Sequence, residues 1–170
     1  MNVTLAEYDI GCLPSPSVPA EMLIQDGWRT YVLFFAVSKA VDETGYLKDL
    51  GVAVLECVDC VSTKFGYPND EGLPEHPLYA LGLNDMSAYE VRESLWVQEI
   101  GAQQLKSTKR IWGSRAMDVP SVNVSSPSRH FILPLKEATF ECVASALKVV
   151  FFAPHFDAAF EWVRREASDR

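Results

Sequence analysis

The sequence lacks long apolar runs and an excess of basic residues, and both absences limit its partners. Its longest uninterrupted apolar runs, such as residues 31–37, fall far short of the ~20 residues that a membrane-spanning helix needs. Lys and Arg together number 15 against 23 Asp and Glu, which leaves a formal net charge of −8 at pH 7. Because phosphate binding draws on Lys and Arg, we expect neither nucleic acid nor an anionic membrane surface as a partner.

Residues 1–20 also lack the basic start and apolar stretch of a signal peptide. Hydrophobic residues make up 48% of the chain and charged residues 22%, a balance that is typical of globular domains. A chain of this length buries ~70% of its extended surface on folding, which is enough for one core without a metal or disulfide staple. The sequence therefore predicts one acidic, soluble, cytoplasmic domain over residues 1–170.

Cysteines are few, and their spacing predicts neither a metal centre nor a disulfide. The four are Cys12, Cys57, Cys60 and Cys142. Cys57 and Cys60 have the CxxC spacing of zinc and redox sites, but they lie in a β-branched run that predicts a strand. Residues three apart on a strand point to opposite faces, and no second CxxC completes a four-ligand site. We therefore expect small apolar strand residues here, with no bound metal and no cofactor.

The signatures of common catalytic sites are absent as well. The chain contains no GxxxxGK[ST], GxGxxG, GxSxG or HExxH pattern. Phosphate-binding loops, dinucleotide sites, nucleophile elbows and zinc peptidase helices therefore have no support from motifs.

Periodicity predicts strands through most of the chain and a helix at its C-terminal end. Residues 29–38 and 130–135 are rich in β-branched and aromatic residues, and residues 139–152 alternate like a half-buried antiparallel strand. Residues 50–65 fit one bent strand or two, and apolar residues at helical spacing predict a helix over 156–167. The predicted class is α+β: a curved, mainly antiparallel, barrel- or sandwich-like sheet with this helix and one further helix packed on it.

Residues 87–106 fit either one helix or a strand followed by a helix. In the second interpretation, which we favour, a strand over 88–93 ends at Ser94, and Ser94 caps a helix over 95–106. The next segment, 107–128, has no sustained period and predicts an irregular, mobile connection.

Chemistry-bearing side chains concentrate in a loop over residues 66–80, which contains Asn69, Asp70, Glu71 and His76. Carboxylates can accept protons, a histidine titrates near neutrality, and an amide can orient a ligand. The same residues also fit ordinary turns, in which Asn and Asp bond to their own backbone.

Two residues of the late hairpin extend this candidate site. His130 begins a predicted strand, and Glu141 lies in the next one. An inward-facing Glu141 needs a partner such as Arg129, His130 or Lys136, whereas an outward-facing one forms a weak cross-strand ion pair. We expect the loop to fold back against the sheet rim beside His130, which gives a candidate polar site of Asn69, Asp70, Glu71, His76, His130 and Glu141.

Five short segments form one combined pattern: FGYPNDE at 65–71, HPLY at 76–79, YEV at 89–91 followed by Ser94 and Trp96, RHFI at 129–132, and TFEC at 139–142. This pattern resembles that of a family of small, uncharacterised bacterial proteins of unknown function, and it implies no activity. It places the loop and His130 in one shared pattern. Directly before the position of Thr139 the family pattern has His-Asp-Ser, where this chain has Lys136-Glu137-Ala138.

These observations favour a soluble, non-catalytic binding or interaction domain with a protein partner or a small-molecule ligand. A surface with a net charge of −8 would suit a basic protein partner. The alternative is a small hydrolase-like or metal-assisted enzyme that uses the carboxylates and histidines of the loop over 66–80.

Overall fold

The computed structural model describes residues 2–112 and 128–168, and within them the chain forms two antiparallel sheets and two α-helices. The first sheet has the strand order β1 (Thr4–Tyr8), β7 (Ala88–Arg92), β8 (Arg129–Pro134), β9 (Thr139–Ala144) and β6 (Ser62–Gly66). The second has the order β10 (Ala146–Ala153), β5 (Leu47–Val58), β4 (Thr30–Val41) and β2 (Leu13–Pro14), and β3 (Glu21–Gln25) also pairs with β4. The helices are α1 (Leu95–Trp112) and α2 (Phe156–Ser168). The predicted α+β class is confirmed, although the strands in the described residues do not close either sheet into a barrel.

The second sheet is buried on both faces, which explains its nearly continuous apolar strands. In β4, Val32 and Phe34 face the first sheet, with Phe131 and Phe140 of that sheet in the same core cluster. The alternate residues of β4 face outward, where α2 covers them through buried side chains that include Val163. The predicted C-terminal helix therefore covers one face of a sheet, as expected.

The first sheet carries the loop that follows β6 on its outer face. This loop contains two short 3₁₀ turns, Leu73–Glu75 and Tyr79–Leu81. Its buried side chains form a small cluster with residues of β7 and β8, namely Leu73, Leu83, Tyr89, Val91 and Ile132. The loop thus forms a third layer of the fold, and the candidate site lies beneath it.

The chain changes sheet at Ser145, within the segment predicted as one strand over 139–152. The Ser145 amide donates to the carbonyl of Val58 at 2.8 Å, and its hydroxyl lies 3.0 Å from Oδ2 of Asp59. These hydrogen bonds stabilise the interruption between β9, which belongs to the first sheet, and β10, which belongs to the second. Apolar alternation continues on both sides of the break, so periodicity alone does not reveal it.

The segment over 87–106 is a strand followed by a helix, in agreement with the favoured interpretation. Helix α1 continues to Trp112, so the first residues of the predicted irregular connection are helical. Arg110, within this extension, is a good helix former. The rest of that predicted connection, 113–127, lies outside the described residues.

The expectation that Cys57 and Cys60 point to opposite faces of one strand is wrong, because the chain turns at Asp59. Asp59 adopts a left-handed conformation with φ of 50°, so Cys60 turns back towards the core cluster that contains Cys57 and Cys142. A hydrogen bond with Cys142 and burial both raise the pKa of the Cys60 thiol. The thiols are free and pack as small apolar groups, which agrees with the structural role expected of them.

Candidate active site

A tight turn between β7 and α1 positions Ser94. Glu93 adopts a positive φ of 54°, which turns the chain from the end of β7 into the first turn of the helix. The Ser94 hydroxyl oxygen accepts a hydrogen bond from the Val97 amide at 3.4 Å, so Ser94 caps α1 as predicted. Ser94 is only 6% exposed.

His130 lies beside Ser94 because β7 and β8 are paired. The register places Val91 opposite His130. The turn at Glu93 then brings Ser94 back beside His130. Ser94 Oγ and His130 Nδ1 are 2.9 Å apart. His130 is 5% exposed, so this contact is shielded from solvent.

Glu141 holds the other nitrogen of the His130 ring. The β8–β9 register places Ile132 opposite Glu141, and because His130 and Ile132 share a face of β8, the two side chains meet diagonally. His130 Nε2 and Glu141 Oε2 are 2.8 Å apart. Ser94, His130 and Glu141 therefore form one continuous hydrogen-bonded chain.

The charge of Glu141 fixes the direction of these hydrogen bonds. Burial acts to raise the pKa of Glu141, but the hydrogen bond to His130 and electrostatic attraction to His130, Lys64 and His76 outweigh it, so the pKa is lowered. An ionised carboxylate only accepts hydrogen bonds, so His130 Nε2–H donates to it. His130 Nδ1 is then an acceptor in the neutral ring, and Ser94 donates its hydroxyl proton to Nδ1.

His76 and Lys64 both lie close to the second carboxylate oxygen of Glu141, Oε1. His76 Nδ1 accepts a hydrogen bond from the Leu78 amide at 3.2 Å, which leaves Nε2 facing Glu141 Oε1 at 3.8 Å. Burial lowers the pKa of His76, so its neutral form is favoured. Lys64 Nζ lies 3.7 Å from the same oxygen. With both oxygens engaged, the Glu141 carboxylate is held in one orientation.

Trp96, in the first turn of α1, packs against this network. Its ring meets the His130 ring edge-on, with 5.1 Å between the centroids and an interplanar angle of 88°. Lys64 Nζ lies 4.0 Å from the centre of the Trp96 ring, a cation–π contact. Trp96 therefore restricts the imidazole and helps to place the lysine.

Two clefts meet at Ser94 and His130. One has a volume of about 360 Å³ and is lined by residues that include Lys64, His76, Leu78, Trp96 and Glu141. The other, of about 330 Å³, is lined by residues of β7, α1 and the start of β8. Both volumes fall within the range of small-molecule sites, roughly 300–1,000 Å³. Ser94 and His130 contribute to the walls of both clefts.

The structure brings together three of the six residues in the candidate polar site, His76, His130 and Glu141. Of the other three, Asn69 and Asp70 stabilise the loop itself. Asn69 accepts the Gly72 amide at 3.0 Å, and Asp70 accepts the Glu71 amide at 2.8 Å while it pairs with Lys136. These are the turn interactions that Asn and Asp favour. Glu71 is exposed.

Asp70 and Glu71 therefore do not join His130 at the sheet rim. Lys136, the partner of Asp70, follows the end of β8 opposite to the end that carries His130. Only the part of the loop around His76 folds back against Glu141 and His130. The expected convergence on His130 therefore holds for His76 but not for Asp70 or Glu71.

Sequence reasoning identified Ser94 as a helix cap but not as a member of the site. Its proton acceptor is 36 residues further along the chain, so no short motif connects them. The signal that was available is the combination of a strand end, a serine and a helix start, followed by a histidine on the neighbouring strand.

Among residues 2–112 and 128–168, no group of three or more His, Cys, Asp or Glu side chains is placed to hold a metal ion. Of the helices in the described part of the chain, none combines the length and apolar character that crossing a bilayer demands. Comparison with models of known families, with curated proteins and with solved structures finds no significant match to this chain.

Proposed function

We propose that this protein is a hydrolase that works by acyl transfer to a serine. Ser94 is the nucleophile, His130 is the general base, and Glu141 orients the imidazole. The observation that carries the proposal is the chain of two hydrogen bonds, 2.9 Å from Ser94 to His130 and 2.8 Å from His130 to Glu141. The same three roles of nucleophile, base and orienting acid recur in unrelated hydrolases. Here Nδ1 faces the serine and Nε2 faces the carboxylate, the reverse of the usual assignment.

The proposed reaction has two stages. Ser94 Oγ attacks the acyl carbonyl carbon, an O–C bond forms, and the hydroxyl proton moves to His130 Nδ1. The bond from carbon to the leaving oxygen then breaks, and the leaving group takes that proton from Nδ1. Water then attacks the acyl carbon and gives a proton to His130 Nδ1. The bond from that carbon to Ser94 Oγ breaks, Oγ takes the proton from Nδ1, and the acid leaves.

Glu141 supports the charge that forms on His130 in each stage. The imidazolium carries a full positive charge in a site where His130 is 5% exposed. A carboxylate 2.8 Å from Nε2 compensates that charge at low cost in reorganisation. Its lowered pKa keeps Glu141 ionised at neutral pH.

The start of α1 can stabilise the negative charge on the substrate oxygen. The first amides of a helix have no partner within the helix, and those of Leu95 and Trp96 directly follow Ser94. The helix dipole also favours negative charge at this end. An oxyanion formed by attack of Ser94 would therefore develop beside suitable donors.

A purely structural cap does not account for the whole arrangement. Capping uses only the acceptor side of the Ser94 hydroxyl, towards the Val97 amide. The hydroxyl proton is directed instead at an imidazole whose other nitrogen is already bound to a carboxylate. That second interaction is the one that lowers the cost of deprotonating a serine.

A fluorophosphonate probe tests the proposal directly, since it reacts with an activated serine to form an Oγ–P bond and release fluoride. We expect one adduct on the wild-type protein, mapped to Ser94 by peptide mass spectrometry. Ser94→Ala should show no adduct. Ser145→Ala changes a half-buried serine whose hydroxyl bonds to Val58 and Asp59, and it should react like the wild type. An unmodified Ser94 in folded protein would overturn the proposal and favour a non-catalytic binding domain.

A further inference from the structure

The two clefts that meet at Ser94 differ in chemical character. The first is lined mainly by apolar side chains, namely Val3, Pro77, Leu78, Val91, Leu95 and Trp96. The second is lined mainly by charged and polar ones, namely Glu90, Arg92, Glu93, Gln98, Ser128 and Arg129. A molecule bound across Ser94 would therefore meet an apolar wall on one side and a polar wall on the other.

The apolar cleft is a preformed feature because its wall belongs to a packed cluster. Val91 is buried in the cluster on the outer face of the first sheet, and Val3 and Leu78 pack against that cluster. These side chains hold their positions without a ligand. An apolar group entering the cleft therefore gains burial without first ordering the protein.

The lysine and the histidine at the apolar cleft are already engaged. Lys64 lies 3.7 Å from Glu141 Oε1, and His76 lies 3.8 Å from the same oxygen. Neither group offers an unpaired charge to an acidic substrate. Leu95, immediately after Ser94, is 64% exposed, so the cleft presents a large apolar side chain beside the nucleophile.

From this asymmetry we propose that Ser94 acts on esters whose acyl group is apolar and uncharged. This inference rests on the proposed function. The acyl chain occupies the cleft formed by Leu78, Leu95 and Trp96, and the leaving group, which is polar, occupies the cleft formed by Arg92 and Gln98. His130 lines both clefts, so its Nδ1 can return the proton to the leaving oxygen.

A series of p-nitrophenyl esters tests the acyl preference because the leaving group stays constant. We expect kcat/KM to rise roughly fourfold for each added methylene from acetate to butyrate, the factor that follows from burial of one CH₂. The octanoate should also exceed the acetate, and the hemisuccinate, which carries a carboxylate, should be the poorest substrate. Ser94→Ala gives the background to subtract from every rate.

Variants of the cleft wall provide the second measurement. Leu95→Gln places a polar side chain in the cleft at an exposed position, so the fold is preserved, and it should reduce the butyrate-to-acetate ratio severalfold. Leu78→Trp should reduce the ratio further by filling the cleft. Leu81→Gln alters an exposed leucine of the same loop that does not line the cleft, and it should leave the ratio unchanged.

The outcomes separate this inference from the proposed function. Turnover that depends on Ser94 but is indifferent to chain length, is fastest with hemisuccinate, or responds equally to Leu95→Gln and Leu81→Gln would overturn the acyl preference alone. A fluorophosphonate adduct without turnover of any ester in the series would also overturn it alone. Absence of both the adduct and the turnover would overturn the two together.

Discussion

Ser94 and His130 are 36 residues apart in the chain, yet Ser94 Oγ and His130 Nδ1 lie 2.9 Å apart. The pairing of β7 with β8 and the turn at Glu93 produce this contact. Both residues are buried, so each satisfies a polar group of the other that is largely shielded from solvent. The contact therefore matters for stability as well as for the proposed chemistry.

Replacement of Ser94 can separate these two roles. Ser94→Ala removes the cap of α1 and leaves His130 Nδ1 without its donor, and we expect a loss of about 1–3 kcal/mol in the free energy of unfolding. Ser94→Asn keeps a capping oxygen but has no hydroxyl, so it should recover part of that stability and still give no fluorophosphonate adduct. Urea denaturation measures the first effect. Equal stability of wild type and Ser94→Ala would contradict the capping role.

Glu141→Gln tests the orienting carboxylate. The amide oxygen can still accept a hydrogen bond from His130 Nε2–H, but it cannot compensate the positive charge of the imidazolium. We expect the rate of fluorophosphonate labelling to fall by about 10²- to 10⁴-fold, with the adduct still on Ser94. Glu137→Gln, on an exposed glutamate nearby, is the matched control. A Glu141→Gln protein that labels as fast as this control would remove Glu141 from the mechanism.

The stability of the fold should decrease in acid because of His76 and Glu141. Burial lowers the pKa of His76 below its ordinary value of about 6.5. At pH values between the lowered pKa of the folded state and the ordinary pKa, the unfolded chain binds more protons than the folded one. The free energy of unfolding therefore falls as the pH drops below about 6.5. The pKa of Glu141 is also lowered, and its contribution is lost below about pH 4.5, as the pH falls through the folded-state value.

Thermal unfolding at several pH values measures both effects. We expect Tm to fall between pH 7 and pH 5, and to fall by less in His76→Gln, which removes the first of the two groups. A further fall between pH 5 and pH 3.5 should be smaller in Glu141→Gln than in the wild type. A Tm that rises on acidification from pH 7 to pH 5 would show that the neutral form of His76 is not the one favoured by the fold.

Local patterns were sufficient to predict most elements of the fold. The apolar run of β4 and the helical spacing in α2 indicate their structure without knowledge of their neighbours. Ser94 resolves the ambiguous segment over 87–106 because a capping residue is itself a local signal. The change of sheet at Ser145 was missed because alternation is the same on both sides of it, and the choice of sheet depends on distant partners.

The site was only partly predictable for a related reason. His76, His130 and Glu141 attract notice by residue type, since histidines and a carboxylate within apolar strands need partners. Asn69 and Asp70 attract equal notice, yet local backbone bonds satisfy them. Ser94 has an ordinary local role, and only the register between β7 and β8 places it against a base.

Asp70→Asn tests the separation of the loop from the active site. The change removes the charge from the ion pair with Lys136, in which both side chains are partly exposed, so we expect a loss of at most about 1 kcal/mol in unfolding free energy. Fluorophosphonate labelling should proceed at the wild-type rate. A tenfold or greater fall in labelling, with the fold intact by circular dichroism, would place Asp70 among the groups that act on Ser94.

Gly51 should be the least replaceable of the glycines with positive φ, for a reason specific to its neighbours. Gly51 and Gly45 have similar backbone conformations, with φ of 79° and 83°. A Cβ on Gly45 would meet open space, whereas a Cβ on Gly51 would lie 2.3 Å from the carbonyl oxygen of Ala153. Ala153 is the last residue of β10 before α2, so its backbone cannot move without displacing that helix.

The pair of alanine variants therefore separates backbone strain from close approach. Gly45→Ala should cost about 1–2 kcal/mol, the usual penalty for a side chain in the left-handed region. Gly51→Ala adds a backbone clash to the same penalty, and we expect a loss of about 3 kcal/mol or more. Urea denaturation of both proteins measures the difference. Equal losses would mean that β5 and the end of β10 can separate freely at this point, and that the packing of α2 does not depend on the close approach of their backbones.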